Sequence, residues 1–211
     1  MSNAQIENIL LEIGYFRRAV EPVIAYGIKM ILGAKNFLKI KDFKKVNLLV
    51  VAETSRCLPD AIQYLCGCTI GNRRLVINDV GKIAATFIDR DAGRAVRVTI
   101  SSAFQKRDAK HSNKLIQLKE KLNFSEIESH RLQESREILR IPNEELLRIQ
   151  EVEITEPLSP VFMPTGIVLC EKCGESTREA KIKIKDGHKL CLVCARVEKP
   201  YFKLKYGVEF L

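Results

Sequence analysis

The sequence has no tryptophan, only three methionines and no long uninterrupted apolar run. Its longest apolar-rich stretches, residues 20–38 and 46–52, are interrupted by charged residues or too short for the roughly 20 apolar residues of a membrane span. The first four residues show no basic segment leading into an apolar one, so no secretory signal is predicted. We therefore expect a cytoplasmic protein that does not cross a membrane.

The composition is typical of a folded globular protein. Of the 211 residues, 46% are hydrophobic and 29% are charged, which permits a sizeable core and argues against disorder. Lysine and arginine number 35 against 26 aspartates and glutamates, a net charge of +9. Such a charge permits a nucleic-acid or acidic partner, although many basic proteins bind neither.

The N-terminal part of the chain predicts helices followed by a buried strand. Apolar residues recur at helical spacing over residues 6–38, which indicates two consecutive helices with a weak point at Gly14. The run 46–52 is short, apolar and rich in β-branched residues, so it predicts a strand buried on both faces.

A helix and a hairpin are predicted next. Thr54 or Ser55 is expected to cap a helix that Gly67 ends. After a short strand candidate near residue 76, segments 82–89 and 95–101 predict a hairpin, so we expect a largely antiparallel sheet.

The region after the hairpin is charged and mainly helical. Leucine and isoleucine spacing over residues 108–140 predicts two helices that split near Asn123. A short helix at 142–145 and an alternating strand at 147–154 follow.

Three prolines within residues 157–164 oppose both helix and sheet. The sequence therefore predicts a main domain at 1–155, a proline-rich linker at 156–165 and a second domain at 166–211.

The second domain carries a pattern typical of a metal site. Two C-x2-C pairs are separated by seventeen residues, and a tight turn at Asp186-Gly187 brings one pair back to the other. Four thiolates in this arrangement suit one tetrahedral ion, and a closed site without redox chemistry favours structural zinc over iron. The predicted Zn²⁺ ligands of this zinc ribbon are Cys170, Cys173, Cys191 and Cys194.

Basic residues of the ribbon leave two interpretations open. Lys181, Lys183, Lys185 and Lys189 form either a solvated strand face or a surface for nucleic acid.

The junction after the buried strand is a second candidate site. Cys57 is expected in the first turn of a helix, where free backbone N–H groups favour a thiolate. Cys57 is therefore a candidate nucleophile or metal ligand, and the alternative is a small packing residue.

The same region resembles the FmdE/FwdE-like family, the E-type subunits of molybdenum or tungsten formylmethanofuran dehydrogenases. The matching segments are Glu53-Thr54-x-x-Cys57-x-x-Asp60-Ala61-Ile62-Gln63, Gly67-Cys68-Thr69-x-Gly71-Asn72 and Asp79-x-Gly81-Lys82. The resemblance implies an α+β fold with a mainly antiparallel sheet flanked by helices, and a metal or substrate pocket near Cys57. It also implies frequent dimerisation, enzyme subunits as partners, a role in the first carbon-fixing step of methanogenic archaea and, in some members, a terminal zinc ribbon.

One departure from the family pattern concerns the implied pocket. Members of the family usually carry Phe-His-Gly-His-x-Cys-Pro-Gly on the first helix, but here Arg17, Arg18 and Ala19 replace His-Gly-His and Glu21 replaces Cys. Two cations then stand where a cation should bind, so the second metal site is expected to be degenerate. Either Cys57 and Glu21 keep a weakened site, or the arginines bind a carboxylate or phosphate. The candidate pocket residues are Cys57, Asp60, Arg17, Arg18 and Glu21.

These observations lead to one main hypothesis and two alternatives. The main hypothesis is a metal-binding accessory protein with structural zinc and no turnover of its own, acting as a homodimer or with formylmethanofuran dehydrogenase subunits. The alternatives are a nucleic-acid-binding or transcription-associated zinc-ribbon protein, and an enzyme with Cys57 as nucleophile.

Overall fold

The computed structural model describes residues 2–105, 123–155 and 166–199. The chain divides into two compact units, Met1–Thr155 and Glu156–Leu211, which we name the main unit and the ribbon unit. The first of the two helices predicted over 108–140 and the proline-rich linker lie outside the described residues. Among the described residues, no helix combines the length and the hydropathy that crossing a bilayer requires.

The first two helices are confirmed, but the break between them is not where the sequence indicates. The main-unit helices are α1 (Asn3–Arg17), α2 (Pro22–Phe37), α3 (Leu58–Cys66), α4 (Phe124–Arg140) and α5 (Asn143–Leu146). Gly14 lies inside α1, and the helix ends at Arg18 in the left-handed conformation. The weak point predicted at Gly14 is wrong because this glycine serves close packing: a Cβ there would lie 2.5 Å from Cγ2 of Val20.

A five-stranded sheet forms the other half of the main unit. Its strands are β1 (Leu48–Ala52), β2 (Leu75–Ile77), β3 (Ala84–Asp89), β4 (Arg94–Ile100) and β5 (Leu147–Val152). In the order β2-β1-β3-β4-β5, only the β1–β2 pair is parallel, because α3 crosses between these two strands. The predicted α+β fold with a mainly antiparallel sheet is confirmed.

The core lies between the helices and one face of the sheet. Nine of the sixteen residues of α2 are buried, and the strand register aligns Val50, Phe87 and Val96 beneath the helices. On the opposite face Leu49 and Val51 are also buried, at 2% and 7% exposure, which confirms a first strand buried on both sides.

Polar contacts fix both ends of α4. Asn123 and Glu126 cap α4 reciprocally, so the predicted start near Asn123 is confirmed. At the other end, Nζ of Lys29 donates to the carbonyl of Ile141 over 2.6 Å and ties the last turn of α4 to α2.

The described residues of the ribbon unit, 166–199, form two short hairpins. Its strands are β6 (Ile167–Leu169), β7 (Ser176–Arg178), β8 (Ile182–Lys185) and β9 (His188–Cys191). The pairs β6–β7 and β8–β9 are antiparallel, and the turn between β8 and β9 lies at Asp186-Gly187 as the sequence predicts.

Candidate metal centre and Cys57 pocket

The four cysteines of the ribbon unit converge. Cys170 follows β6 and Cys191 ends β9, while Cys173 and Cys194 lie in the turns that follow each of them. All four sulfur atoms lie within 4.8 Å of one another. A tetrahedral ion with metal–sulfur bonds of about 2.3 Å requires sulfur atoms about 3.8 Å apart. The cysteine cluster therefore fits one such ion with small side-chain adjustments.

The two C-x2-C turns have the same backbone construction. In the first, the N–H of Gly174 donates to the carbonyl of Cys170 over 2.8 Å, and in the second that of Ala195 donates to Cys191 over 2.9 Å. Equivalent turns place both sulfurs of a pair on one side, which a shared ion requires.

Backbone donors favour the anionic form of the first cysteine. Burial opposes ionisation of Cys170, but N–H groups of Cys173, Cys191 and Lys172 lower its pKa to about 6. The N–H of Cys191 donates to the sulfur of Cys170 over 3.3 Å. A thiolate is the form that a metal ion binds.

His188 lies beside the cluster but bonds elsewhere. Its Nδ1 lies 2.8 Å from a carboxylate oxygen of Glu171, an exposed residue of the turn that carries Cys170 and Cys173.

The start of α3 differs from the sequence-based expectation. The predicted cap at Thr54 or Ser55 is wrong, because Cys57 occupies the N-cap position with φ +48° and ψ −46°. The N–H of Leu58 donates to the carbonyl of Arg56 over 2.5 Å, so Cys57 is the centre of a strained three-residue γ-turn. The turn reverses the chain within three residues and leaves the Cys57 side chain facing α1.

Arg17 holds the Cys57 pocket together. Its Nε donates to Asp60 over 3.0 Å, and its two terminal nitrogens donate to the sulfur of Cys57 over 3.4 Å and to the carbonyl of Ala19 over 3.2 Å. The Arg17 and Asp60 side chains are only 20% and 30% exposed. The structure thus joins three of the predicted pocket residues, and the guanidinium lies between the thiol and the carboxylate.

The remaining two predicted residues have other surroundings. Glu21 forms an ion pair of 2.9 Å with Arg131 of α4, a partner that the sequence reasoning missed. Arg18 instead lines an open surface depression together with Glu128. Arg131 could not be found from sequence spacing, since it is one of several charges on an amphipathic helix.

The thiolate expected at Cys57 is not supported. Burial raises the pKa of the Cys57 thiol, the carboxylates of Glu21 and Asp60 act in the same direction, and the Arg17 cation offsets only part of the effect. The helix N-terminus therefore does not control this group. The other main-unit thiols are packing residues: Cys66 and Cys68 are buried, and burial raises the pKa of Cys68 to about 11.

A further ion pair anchors the end of β1. The guanidinium of Arg97 donates twice to the carboxylate of Glu53, over 2.6 and 2.7 Å, and both side chains are largely covered. Beside it, the hydroxyl of Ser55 donates to Asp79. The signal for this contact is Arg97 itself, a charged residue between the apolar Val96 and Val98.

The fold and the cysteine cluster define a two-part protein, an α+β unit followed by a small C4 metal-binding unit. Residues 21–148 match the family model FmdE, described as molybdenum formylmethanofuran dehydrogenase operon, and residues 164–199 match the prokaryotic DksA/TraR C4-type zinc finger. The first match covers more than half of the chain, so the chain belongs to the FmdE family. The resemblance identified from the sequence is confirmed.

Two individual proteins are similar along most of the chain. One is a tungsten formylmethanofuran dehydrogenase FmdE-like protein from Syntrophus aciditrophicus, with a TM-score of 0.63, 25% identity and coverage of 93% of this chain and 95% of that one. The other is a probable S-adenosyl-L-methionine-binding protein from Archaeoglobus fulgidus, 32% identical over 208 residues. That match covers 91% of this chain and 54% of the relative, so the chain spans about half the length of that relative.

The Glu53–Arg97 pair is expected to contribute to stability in a pH-dependent way. Hydrogen bonding to Arg97 lowers the pKa of Glu53 in the folded protein. Because the folded pKa lies below the unfolded value of about 4.3, the ion pair stabilises the folded protein fully when the pH is above about 4.3. This stabilisation is lost as the pH falls through the folded pKa. Glu53→Gln should therefore lose about 1–3 kcal/mol of unfolding free energy at pH 7, and the loss should shrink below about pH 4.

Urea unfolding at several pH values measures this effect. The matched control is Glu151→Gln, because its pair with Arg94 is 54% and 38% exposed and should change stability by less than about 1 kcal/mol. Equal losses in the two variants, or a loss from Glu53→Gln that is independent of pH, would contradict the prediction.

The ribbon unit is expected to depend on its metal for folding. Two short hairpins bury little apolar surface, and binding energy on the order of 10 kcal/mol from the ion replaces a core. Cys173→Ser or a strong chelator should unfold residues 166–211 while the main unit stays folded.

Limited proteolysis followed by mass spectrometry tests this expectation. Cleavage should be confined to the ribbon unit in Cys173→Ser and absent in Lys172→Ser, which alters the same turn but keeps four sulfurs. Cleavage throughout both units would show that the ribbon is integral to the main core.

Proposed function

We propose that this protein is a metal-binding accessory protein of the FmdE type, with structural zinc in the ribbon unit and a degenerate pocket at Cys57. The observation that carries the proposal is the pairing of a complete four-sulfur cluster with a pocket that a guanidinium already fills. The protein has no turnover of its own in this proposal.

The ligand set supports a structural ion. Four protein sulfurs complete a tetrahedral coordination shell, whereas a catalytic zinc keeps one position for water or substrate. Cys170, Cys173, Cys191 and Cys194 hold the ion, which when bound supplies cross-linking rather than reaction chemistry. Zinc suits this closed, redox-silent site better than iron does.

The contacts of Arg17 support the degenerate pocket. A divalent cation at Cys57 and Asp60 would lie against the guanidinium that already donates to both side chains. Like charges in a half-buried site repel, and the raised pKa of Cys57 keeps its sulfur protonated. The same protonation argues against Cys57 as a nucleophile.

Metal counting tests both parts of the proposal. Purified protein should hold one zinc per chain by elemental analysis. Arg17→His should bind a second divalent ion, because it removes the guanidinium and supplies an imidazole beside Cys57 and Asp60. With Co²⁺ as the probe, that variant should gain additional thiolate-to-metal absorption.

The control is Arg18→His, which adds an imidazole one residue away from the pocket and should keep one metal per chain. Two tightly bound metals in the wild-type protein would overturn the degenerate pocket. A metal-free wild-type protein that remains folded throughout would overturn the structural zinc.

The partners that we propose for this protein follow from the description of its family. The family description and the similar structure both refer to formylmethanofuran dehydrogenase, so its subunits are the proposed partners, and a homodimer is the proposed free state. Sedimentation velocity of the purified chain tests for the homodimer, because a monomer at all concentrations would exclude it.

A second candidate function is binding of S-adenosyl-L-methionine by the main unit. Its support is the relative that carries this ligand in its name, together with an open depression of about 550 Å³ in the main unit. Small-molecule sites typically have volumes of about 300–1,000 Å³.

Titration calorimetry of the full chain tests this second function. One molecule of S-adenosyl-L-methionine should bind per chain, and Cys173→Ser should bind it equally, because the depression belongs to the main unit. Absence of saturable heat at millimolar ligand would exclude this function and leave the zinc proposal unaffected.

A further inference from the structure

An open depression lies where α1 ends and the chain turns into α2. Its walls are formed by the end of α1, the following turn and one residue of α4, and its volume is about 550 Å³. The lining residues are Gly14, Tyr15, Arg18, Ala19, Val20 and Glu128. None of these residues takes part in the cysteine cluster, and none contributes a side chain to the contacts of Cys57.

The backbone beside the depression is tightly packed. Gly14 is buried and packs so closely on Val20 that a Cβ would approach Cγ2 of Val20 to 2.5 Å. Arg18 ends α1 with φ +61°, and its N–H donates to the carbonyl of Tyr15 over 3.2 Å. Close packing and this hydrogen bond therefore hold the backbone that carries Tyr15 and Arg18.

One wall presents an aromatic ring to solvent. The side chain of Tyr15 is 89% exposed, the largest exposure of any large hydrophobic residue in the described part of the chain. An exposed aromatic ring beside a depression is suitable for stacking on a planar heterocycle.

The depression also carries two charges of opposite sign. Arg18 is exposed and Glu128 is half-buried, and among the described residues neither side chain has a hydrogen-bond or ion-pair partner. By contrast, the neighbouring Arg17 makes three hydrogen bonds and Glu21 pairs with Arg131. Two unpaired opposite charges on one small site match a ligand that itself carries both signs.

We propose that this depression is the binding site for S-adenosyl-L-methionine, an inference that rests on the second candidate function above. The adenine ring stacks on Tyr15, and the forked guanidinium of Arg18 binds the carboxylate of the methionine part. Glu128 faces the sulfonium, which is a cation without N–H or O–H donors and is recognised through its charge.

The experiment compares ligand affinities of full-length variants by titration calorimetry. Tyr15→Ala and Arg18→Gln should each weaken S-adenosyl-L-methionine by about tenfold, since a lost stacking contact or charged hydrogen bond of this kind costs roughly one decade in affinity. Tyr15→Phe should retain wild-type affinity. Matched controls are Phe16→Ala, an exposed aromatic beside the site, and Arg73→Gln, an exposed arginine that also has φ +61°.

Glu128→Gln has a more specific expected result. Wild-type protein should prefer S-adenosyl-L-methionine over S-adenosyl-L-homocysteine, whose sulfur is neutral, and Glu128→Gln should abolish this preference without weakening the neutral ligand. A general structural defect would weaken both ligands equally.

The outcomes separate this inference from the proposal on which it rests. Binding to the wild-type protein with unchanged affinities in Tyr15→Ala, Arg18→Gln and Glu128→Gln would place the ligand elsewhere and overturn this site alone. Equal weakening of both ligands by Glu128→Gln would overturn its assignment to the sulfonium. No binding to the wild-type protein would remove both the site and the second candidate function.

Discussion

The burial of α2 is the constraint on which the main unit depends. This helix contacts α1, α3, α4, β4 and β5, so its apolar surface is covered on nearly every side. Gly27 permits a close approach to α3, since a Cβ there would lie 2.9 Å from the Cβ of Ala61. Because α1 and α3 pack on the same helix, the end of one and the beginning of the other are brought together, and the Cys57 pocket lies at that meeting point.

The charge arrangement at this meeting point explains why the pocket holds an internal cation. Asp60 and Glu21 bring negative charge close to the Cys57 thiol, and these three partly buried groups need positive charge nearby. Arg17 supplies that charge from within the chain and donates to two of the three, while Arg131 neutralises the third. The ribbon unit differs, because there four cysteine sulfur atoms lie within 4.8 Å of one another, an arrangement that suits a metal ion as the source of positive charge.

The sequence predicts best those features that depend on local spacing. Three such features depend on residues that are close together in the sequence. They are the turn at Asp186-Gly187, the start of α4 at Asn123 and the end of α3 at Gly67. The buried strand β1 is predictable because a continuous apolar run reports burial on both faces.

Features that depend on tertiary contacts cannot be predicted from local sequence spacing. Helix propensity disfavours glycine and so indicates a break at Gly14, but close packing on Val20 determines its role. Thr54 and Ser55 have better capping side chains than Cys57, but the helix begins only at Leu58, after the γ-turn centred on Cys57. The partners Arg97 and Arg131 are 44 and 110 residues from Glu53 and Glu21, a separation that no sequence periodicity records.

Arg17 and Arg18 are adjacent in the sequence, but a change of backbone conformation places their side chains in two different environments. Up to Arg17 the chain is helical, and the Arg17 side chain reaches across to α3. Arg18 has the left-handed conformation, which ends the helix and turns the backbone, so its side chain lines the surface depression instead. A pair of adjacent, identical side chains therefore provides one cation to the Cys57 pocket and one to the surface.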